Sequence, residues 1–131
     1  MAANPVLVDS SYYIGLLRKG RDPLLGLAVI SAQRDVATCG VVRCEVGRGL
    51  QLESNRRRFS TAWELMIYVP ADNRIWSDAE ELLWRLDRQG KPIPLTDAVI
   101  ACCALRIGAV VLTFDKHFDS VPGLTAVERI V

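Results

Sequence analysis

Four short runs rich in β-branched apolar residues set the strongest limit on what this chain can fold into: Val6-Leu7-Val8, Val36-Ala37-Thr38, Ile67-Tyr68-Val69 and Val110-Val111-Leu112-Thr113. Each has strand length, and none shows the apolar–polar alternation of a strand with one wet face. That is the pattern of strands covered on both sides. The segments between them read at helical spacing, so strand and helix alternate and an α/β domain is expected. Its sheet should be mainly parallel and twisted, of about five strands, with helices on both faces. The fifth strand is expected at the edge, over Thr125-Ala126-Val127-Glu128-Arg129. In such open sheets ligands bind outside the carboxyl ends of the strands, where the strand order reverses.

The helical segments have recognisable ends. Asp9-Ser10-Ser11 offers N-cap chemistry for a helix through Tyr12, Ile14, Leu16 and Leu17 that stops at Gly20, and Asp22-Pro23 opens a second through Leu24, Leu27, Ala28 and Ile30. From Val41 to about Met66 the spacing fits one long helix or two nearly continuous ones. A stripe of Ile75, Ala79, Leu82 and Leu86 marks an amphipathic helix from Asn73 to Arg88, closed by Gly90-Lys91-Pro92-Ile93-Pro94. Thr96 is expected to cap a further helix carrying Val99, Ile100, Cys103, Ala104 and Ile107, with Gly108 ending it.

The 131 residues, half of them hydrophobic, suit one domain over 1–131 with a continuous core. No repeat, low-complexity tract or linker divides it. The longest apolar stretch, Ala98 to Phe114, is broken by Arg106 and Gly108 and reads as helix followed by strand, not as a membrane span. Met1-Ala2-Ala3-Asn4-Pro5 leads into the first strand without the basic start or long apolar middle of a secretory leader, so a cytoplasmic location is expected. Cys39, Cys44, Cys102 and Cys103 form no CxxC pair and are expected to be small, reduced core residues. Lys+Arg 16 against Asp+Glu 15 favours no class of partner as it stands. Setting aside the four acids considered next leaves 16 basic residues against 11 acidic, a modest bias towards a polyanion.

Asp9 follows the first strand directly, and Asp115 comes two residues after Thr113 at the end of the fourth, so both belong at the crevice end. Asp97 opens the helix that feeds the fourth strand. Glu45 shares a helical stripe with Val41, Gly49 and Leu52, on or beside the face that packs inward. Each acid also has a purely structural use. Asp9 can cap its helix, Asp97 can pair with Thr96 at a helix start, Asp115 can make a turn before His117-Phe118, and Glu45 can pair with Arg48. Taken together, acids at two strand ends, a helix start and an inward helix face can converge. Two carboxylates about 4 Å apart repel by roughly 4 kcal/mol at an effective dielectric of about 20, so a converged cluster must take up protons or a metal ion. Oxygen ligands with no histidine or thiolate nearby favour Mg2+ or Mn2+ over zinc, and such ions suit phosphodiester hydrolysis.

Four segments, in this order and spacing, resemble the PIN-domain ribonucleases and, among them, the VapC-type toxins of toxin–antitoxin modules. They are Val6-Leu7-Val8-Asp9-Ser10-Ser11, Cys44-Glu45-Val46 with Gly49 four residues past the acid, Thr96-Asp97-Ala98-Val99-Ile100-Ala101, and Thr113-Phe114-Asp115-Lys116-His117-Phe118. The resemblance spans nearly the whole chain and implies a single PIN-like domain. It implies that Asp9, Glu45, Asp97 and Asp115 are catalytic and bind metal, with Ser10 and Thr113 as polar neighbours. It also implies RNA as substrate, a homodimer, and a cognate VapB-like antitoxin. The fourth acidic position, which varies among such proteins, is filled here by Asp115. The segment around Glu45 departs most, with Cys44 before the acid and Gly47-Arg48-Gly49 after it.

Arg43, Arg48 and Lys116 are the basic residues nearest the acids in sequence and are candidates for RNA contact. Arg56-Arg57-Arg58 reads as solvated surface. Trp63, Trp76 and Trp84 suit core packing, base stacking or a partner groove, and His117, the sole histidine, suits a surface turn or donation to a phosphate. The competing function is a non-catalytic nucleic-acid-binding or scaffold domain on the same fold. A receiver-like phosphoacceptor is disfavoured because Pro70-Ala71, not an aspartate, follows Ile67-Tyr68-Val69. A nucleotide-binding protein would need GxxxxGK[ST] or GxGxxG, and a zinc hydrolase HExxH; none is present.

Overall fold

The computed structural model describes residues 3–130; Met1, Ala2 and Val131 lie outside the described residues. They are the limits of the expected 1–131 domain, and Met1 and Ala2 open the stretch read for a leader. Strands β1 (Val6–Val8), β2 (Val36–Cys39), β3 (Ile67–Val69), β4 (Val110–Leu112) and β5 (Ala126–Val127) form one sheet. The helices are α1 (Ser10–Arg18), α2 (Pro23–Ser31), α3 (Gly40–Gly47), α4 (Glu53–Glu64), α5 (Asn73–Arg88) and α6 (Leu95–Arg106), and a 3-10 turn covers Lys116–Ser120.

All four strand pairings are parallel, in the order β3-β2-β1-β4-β5. The chain builds outward from β1 through β2 to β3, then returns to the other side of β1 for β4 and β5. The order therefore reverses between β1 and β4, whose carboxyl ends flank the expected crevice. The continuous apolar runs account for the centre: Val6, Leu7, Val8, Val111 and Leu112 are fully buried. Helix α6 crosses this centre with every residue from Asp97 to Ala104 buried. By contrast α5 buries one stripe, Ile75, Ala79 and Leu86, and leaves Trp76 and Trp84 about half exposed. No described helix is long and apolar enough to cross a membrane.

Several local expectations change. Thr96 does not cap α6. Pro94, with φ −62° and ψ 150°, stands at the N-cap and its carbonyl accepts the Ala98 N–H at 3.1 Å, which puts Thr96 inside the first turn. Gly108 does end α6, at φ 65°, where Ala109 N–H reaches back to the Ala104 carbonyl at 2.9 Å. The segment from Val41 to Met66 is two helices, because α3 stops at Gly47 and α4 starts at Glu53. Gly49 and Leu52 thus fall outside the helix that carries Glu45, and the stripe drawn through them does not exist. Strand β5 has only Ala126 and Val127 of the five residues expected. Cys39, Cys102 and Cys103 are buried, whereas Cys44 is exposed on the outer side of α3. Trp63 is in the core; Arg56 pairs with Glu53 at 3.0 Å and Arg58 with Asp22 at 2.6 Å on the surface.

Candidate functional site

Among the described residues the buried polar groups are Asp9, Ser10, Thr38, Asp97 and Thr113. All but Thr38 gather at the carboxyl ends of β1 and β4 and the start of α6. Asp9 leaves β1 with its backbone N–H on the Leu112 carbonyl at 2.9 Å, so the last turn of the β1–β4 ladder fixes its position. Its carboxylate accepts the Ser11 N–H at 3.3 Å as the cap of α1 and the Thr113 hydroxyl at 2.9 Å. The capping use and convergence on the crevice are therefore compatible in the same side chain.

Around Thr113 the proton directions follow from the partners. Its Oγ1 accepts the Asp115 N–H at 2.9 Å and gives its single proton to Asp9 Oδ2. Ser11 Oγ, 3.0 Å from Thr113 Oγ1, accepts the Phe114 N–H at 3.0 Å and must donate its own proton to Thr113. Asp9, Ser11, Thr113, Phe114 and Asp115, from the start of α1 and the end of β4, are thereby locked together. Phe114 extends the lock, its ring 5.2 Å from that of Tyr12 and close against Gly15, where a Cβ would stand 3.0 Å from Phe114 Cδ2. Ser10 reaches the other way, donating to Glu45 Oε1 at 2.8 Å. Glu45 makes this bond instead of the pairing with Arg48 that its sequence position allowed.

The second group of side chains is held by a ring nitrogen. His117 Nδ1 lies 2.9 Å from Asp97 Oδ2 and 2.9 Å from Asp115 Oδ1. Asp115 also caps the 3-10 turn by accepting the His117 N–H at 2.9 Å. Ligand atoms of Asp97, Asp115 and His117 all lie within 4.8 Å of one another. Burial pushes the Asp97 carboxyl up to about 6, against the lowering effect of the His117 hydrogen bond, and the charges of Asp9 and Asp115 push it further in the same direction. The hydrogen bond to Asp97 holds the His117 pKa above its usual value.

The structure thus brings Asp9, Ser10, Asp97, Thr113 and Asp115 to one end of the sheet, and ties Glu45 to them through Ser10. Sequence reasoning missed Ser11 as the proton donor to Thr113, and it missed His117, read as a surface turn residue. The expectation of acids with no histidine nearby is corrected: Asp97 is 20 positions from His117 in sequence and in hydrogen-bond contact with it. The clue available was the spacing Asp115-x-His117, which puts the ring one turn position past an acid already expected at the crevice. Lys116 lines a cleft of about 220 Å³ with Thr113 and Asp115. The Arg43 guanidinium lies 5.8 Å from the centre of the half-exposed Tyr68 ring, in a groove of about 350 Å³.

A family model described as PIN domain matches residues 6–124. The chain belongs to the PIN domain family. Solved structures give the same fold over nearly the whole length. A chain of VapBC2 from Rickettsia felis, bound to a DNA fragment from its promoter, superposes with a TM-score of 0.77 at 18% identity, covering 94% of this chain and 97% of that one. VapBC-1 from nontypeable Haemophilus influenzae gives 0.74 at 21%, covering 94% and 96%. VapC20 from Mycobacterium tuberculosis, a sarcin-ricin loop cleaving toxin, gives 0.65 at 18%, covering 93% and 98%. The search of curated proteins returned no match.

Proposed function

We propose that this PIN domain is a metal-dependent endoribonuclease that uses Mg2+ or Mn2+ and serves in the cytoplasm as the toxin of a VapBC-type toxin–antitoxin pair. The observation that carries the reading is the convergence of Asp97, Asp115 and His117, whose ligand atoms lie within 4.8 Å of one another, with Asp97 pushed up to about 6 chiefly by burial and further by repulsion from Asp9 and Asp115. A divalent cation among these groups relieves that repulsion. The donor set fits such an ion, since carboxylates dominate it.

Asp9, Asp97 and Asp115 would hold the ion, and Glu45 would either ligate it or orient the attacking water with the carboxylate oxygen that Ser10 does not engage. When bound, the ion supplies an acidic water at neutral pH and offsets charge that builds on the phosphate and the leaving oxygen. Ser10 and Thr113 act as positioning residues, each giving a proton to one acid and thereby fixing where its remaining lone pairs face. Arg43, Arg48 and Lys116 are assigned to RNA phosphates, with Lys116 supported by its place in the cleft beside Asp115. The VapBC names of the structural neighbours support a VapB-like antitoxin as partner, and we extend the proposal to a homodimer.

Purified protein incubated with RNA tests the reading. Cleavage should need Mg2+ or Mn2+, stop with EDTA, and vanish in Asp9→Asn. Cleavage that persists under chelation, or in Asp9→Asn, overturns the mechanism. RNA binding without cleavage, unaffected by loss of the acids, would instead support the scaffold function.

A further inference from the structure

We propose that His117 Nδ1 is itself a ligand in the metal site, and that this nitrogen makes the site prefer Mn2+ to Mg2+. The inference rests on the metal-dependent reading above and goes beyond it by naming a non-carboxylate ligand and the ion it selects.

Placement is the first argument. Nδ1 stands 2.9 Å from one oxygen of Asp97 and 2.9 Å from one oxygen of Asp115. Neighbouring ligand atoms on an octahedral ion with bonds of about 2.1 Å are about 3.0 Å apart. Nδ1 therefore already stands at the spacing such an ion requires from one oxygen of each acid, and the three ligand atoms all lie within 4.8 Å of one another.

The ring is also held there by its backbone. Asp115 caps the 3-10 turn through the His117 N–H, and the next residue, Phe118, is fully buried and anchors the turn to the core. The His117 side chain remains 47% exposed, so the ring is accessible to an ion from solvent. A surface histidine pairing casually with one acid would need neither the cap nor the anchor, and would not meet two acids from separate elements.

Ligand chemistry then selects the ion. Imidazole nitrogen binds first-row transition ions well, whereas Mg2+ keeps to hard oxygen donors and water. Three or four carboxylates with one imidazole is a set in which Mn2+ satisfies both kinds of donor.

The chain has one histidine, so in an untagged preparation any imidazole coupled to a bound ion belongs to His117. Mn2+ added to the full-length protein, followed by electron spin-echo envelope modulation, should show 14N modulation that is replaced by the 15N pattern on 15N-histidine labelling and lost in His117→Ala. In competition titrations His117→Ala should weaken Mn2+ about 10-fold or more while changing Mg2+ by less than about 3-fold. Circular dichroism of the variant should match the parent, because the His117 side chain is half exposed.

Mn2+ that binds, and is released by Asp97→Asn, but shows no nitrogen modulation overturns the ligand assignment and leaves the metal-dependent reading standing. An imidazole that serves only as a counter-cation in the metal-free site gives that result. Failure of the wild-type protein to bind Mn2+ or Mg2+ overturns both.

Discussion

The crevice holds its acids in two different ways, and the contrast shows where the site is finished and where it is still under strain. Around Asp9 and Glu45 every bridge is a hydroxyl: Thr113 donates to Asp9, Ser11 donates to Thr113, and Ser10 donates to Glu45. These donors add no charge and sit beside strand ends, and Ser11 and Thr113 each also accept a backbone N–H. Around Asp97 and Asp115 the bridge is one imidazole shared by two carboxylates. A single cation, at most, faces two acids with Asp9 behind them, and Asp97 is pushed up to about 6. The hydroxyl-bridged half is a frame. The imidazole-bridged half carries the unbalanced charge, and a divalent cation gains most there.

Substitutions can break this contrast. Asp9→Asn should have the largest effect, because it removes a carboxylate on which both halves depend: RNA cleavage should fall to background in a gel assay with Mg2+ or Mn2+. Residual cleavage would mean that the frame is dispensable.

Asp97→Asn should also abolish cleavage, yet make the metal-free protein more stable. The folded-state pKa of about 6 lies above the unfolded value of about 3.9, so ionised Asp97 costs stability at neutral pH, and the cost fades as pH falls through 6 towards 4. Urea unfolding in EDTA at pH 7 should show a gain of about 1–2 kcal/mol that disappears near pH 4. A loss of stability at pH 7 would place the strain elsewhere.

Thr113→Val keeps the shape of the frame and removes its hub. Metal affinity should drop roughly 10–100-fold, and Thr113→Ser should restore most of it; if both variants behave alike, the hydroxyl does not position Asp9. The smallest effect is expected from Arg58→Ala, which breaks a surface pair with Asp22 far from either half. Thermal unfolding should report less than about 1 kcal/mol, further reduced by salt.

Much of this architecture was legible in the sequence, for reasons that differ by element. Val6-Leu7-Val8 and Val110-Val111-Leu112 announce central parallel strands because burial on both faces admits no polar residue. The α5 stripe sets its own boundaries because only one face is covered. The start of α6 was misread because a helix buried all round has no stripe to fix its phase, and Thr96 looked like a better cap than Pro94. Glu45 falls beside the expected face, but of the two readings, one long helix or two nearly continuous ones, the second holds, with α3 ending at Gly47, so the stripe through Gly49 and Leu52 is lost. The acids at β1 and β4 followed from strand ends alone. The role of His117 did not, because its contact with Asp97 exists only once α6 and the 3-10 turn have been packed together.

The pairing of β1 with β4 has a consequence for synthesis. Val6 lies beside Val110, so Asp9 and Asp115, held by two strands far apart in sequence, reach the same crevice only once β4 has docked beside β1. Closing that long loop is slow relative to forming the helices between. A chain in which β4 has not yet been made therefore lacks Thr113, the hub of the frame, and both Asp115 and the imidazole bridge. The nuclease we propose would be inert until β4 docks on β1, and would acquire its capacity to cut RNA with that step of folding.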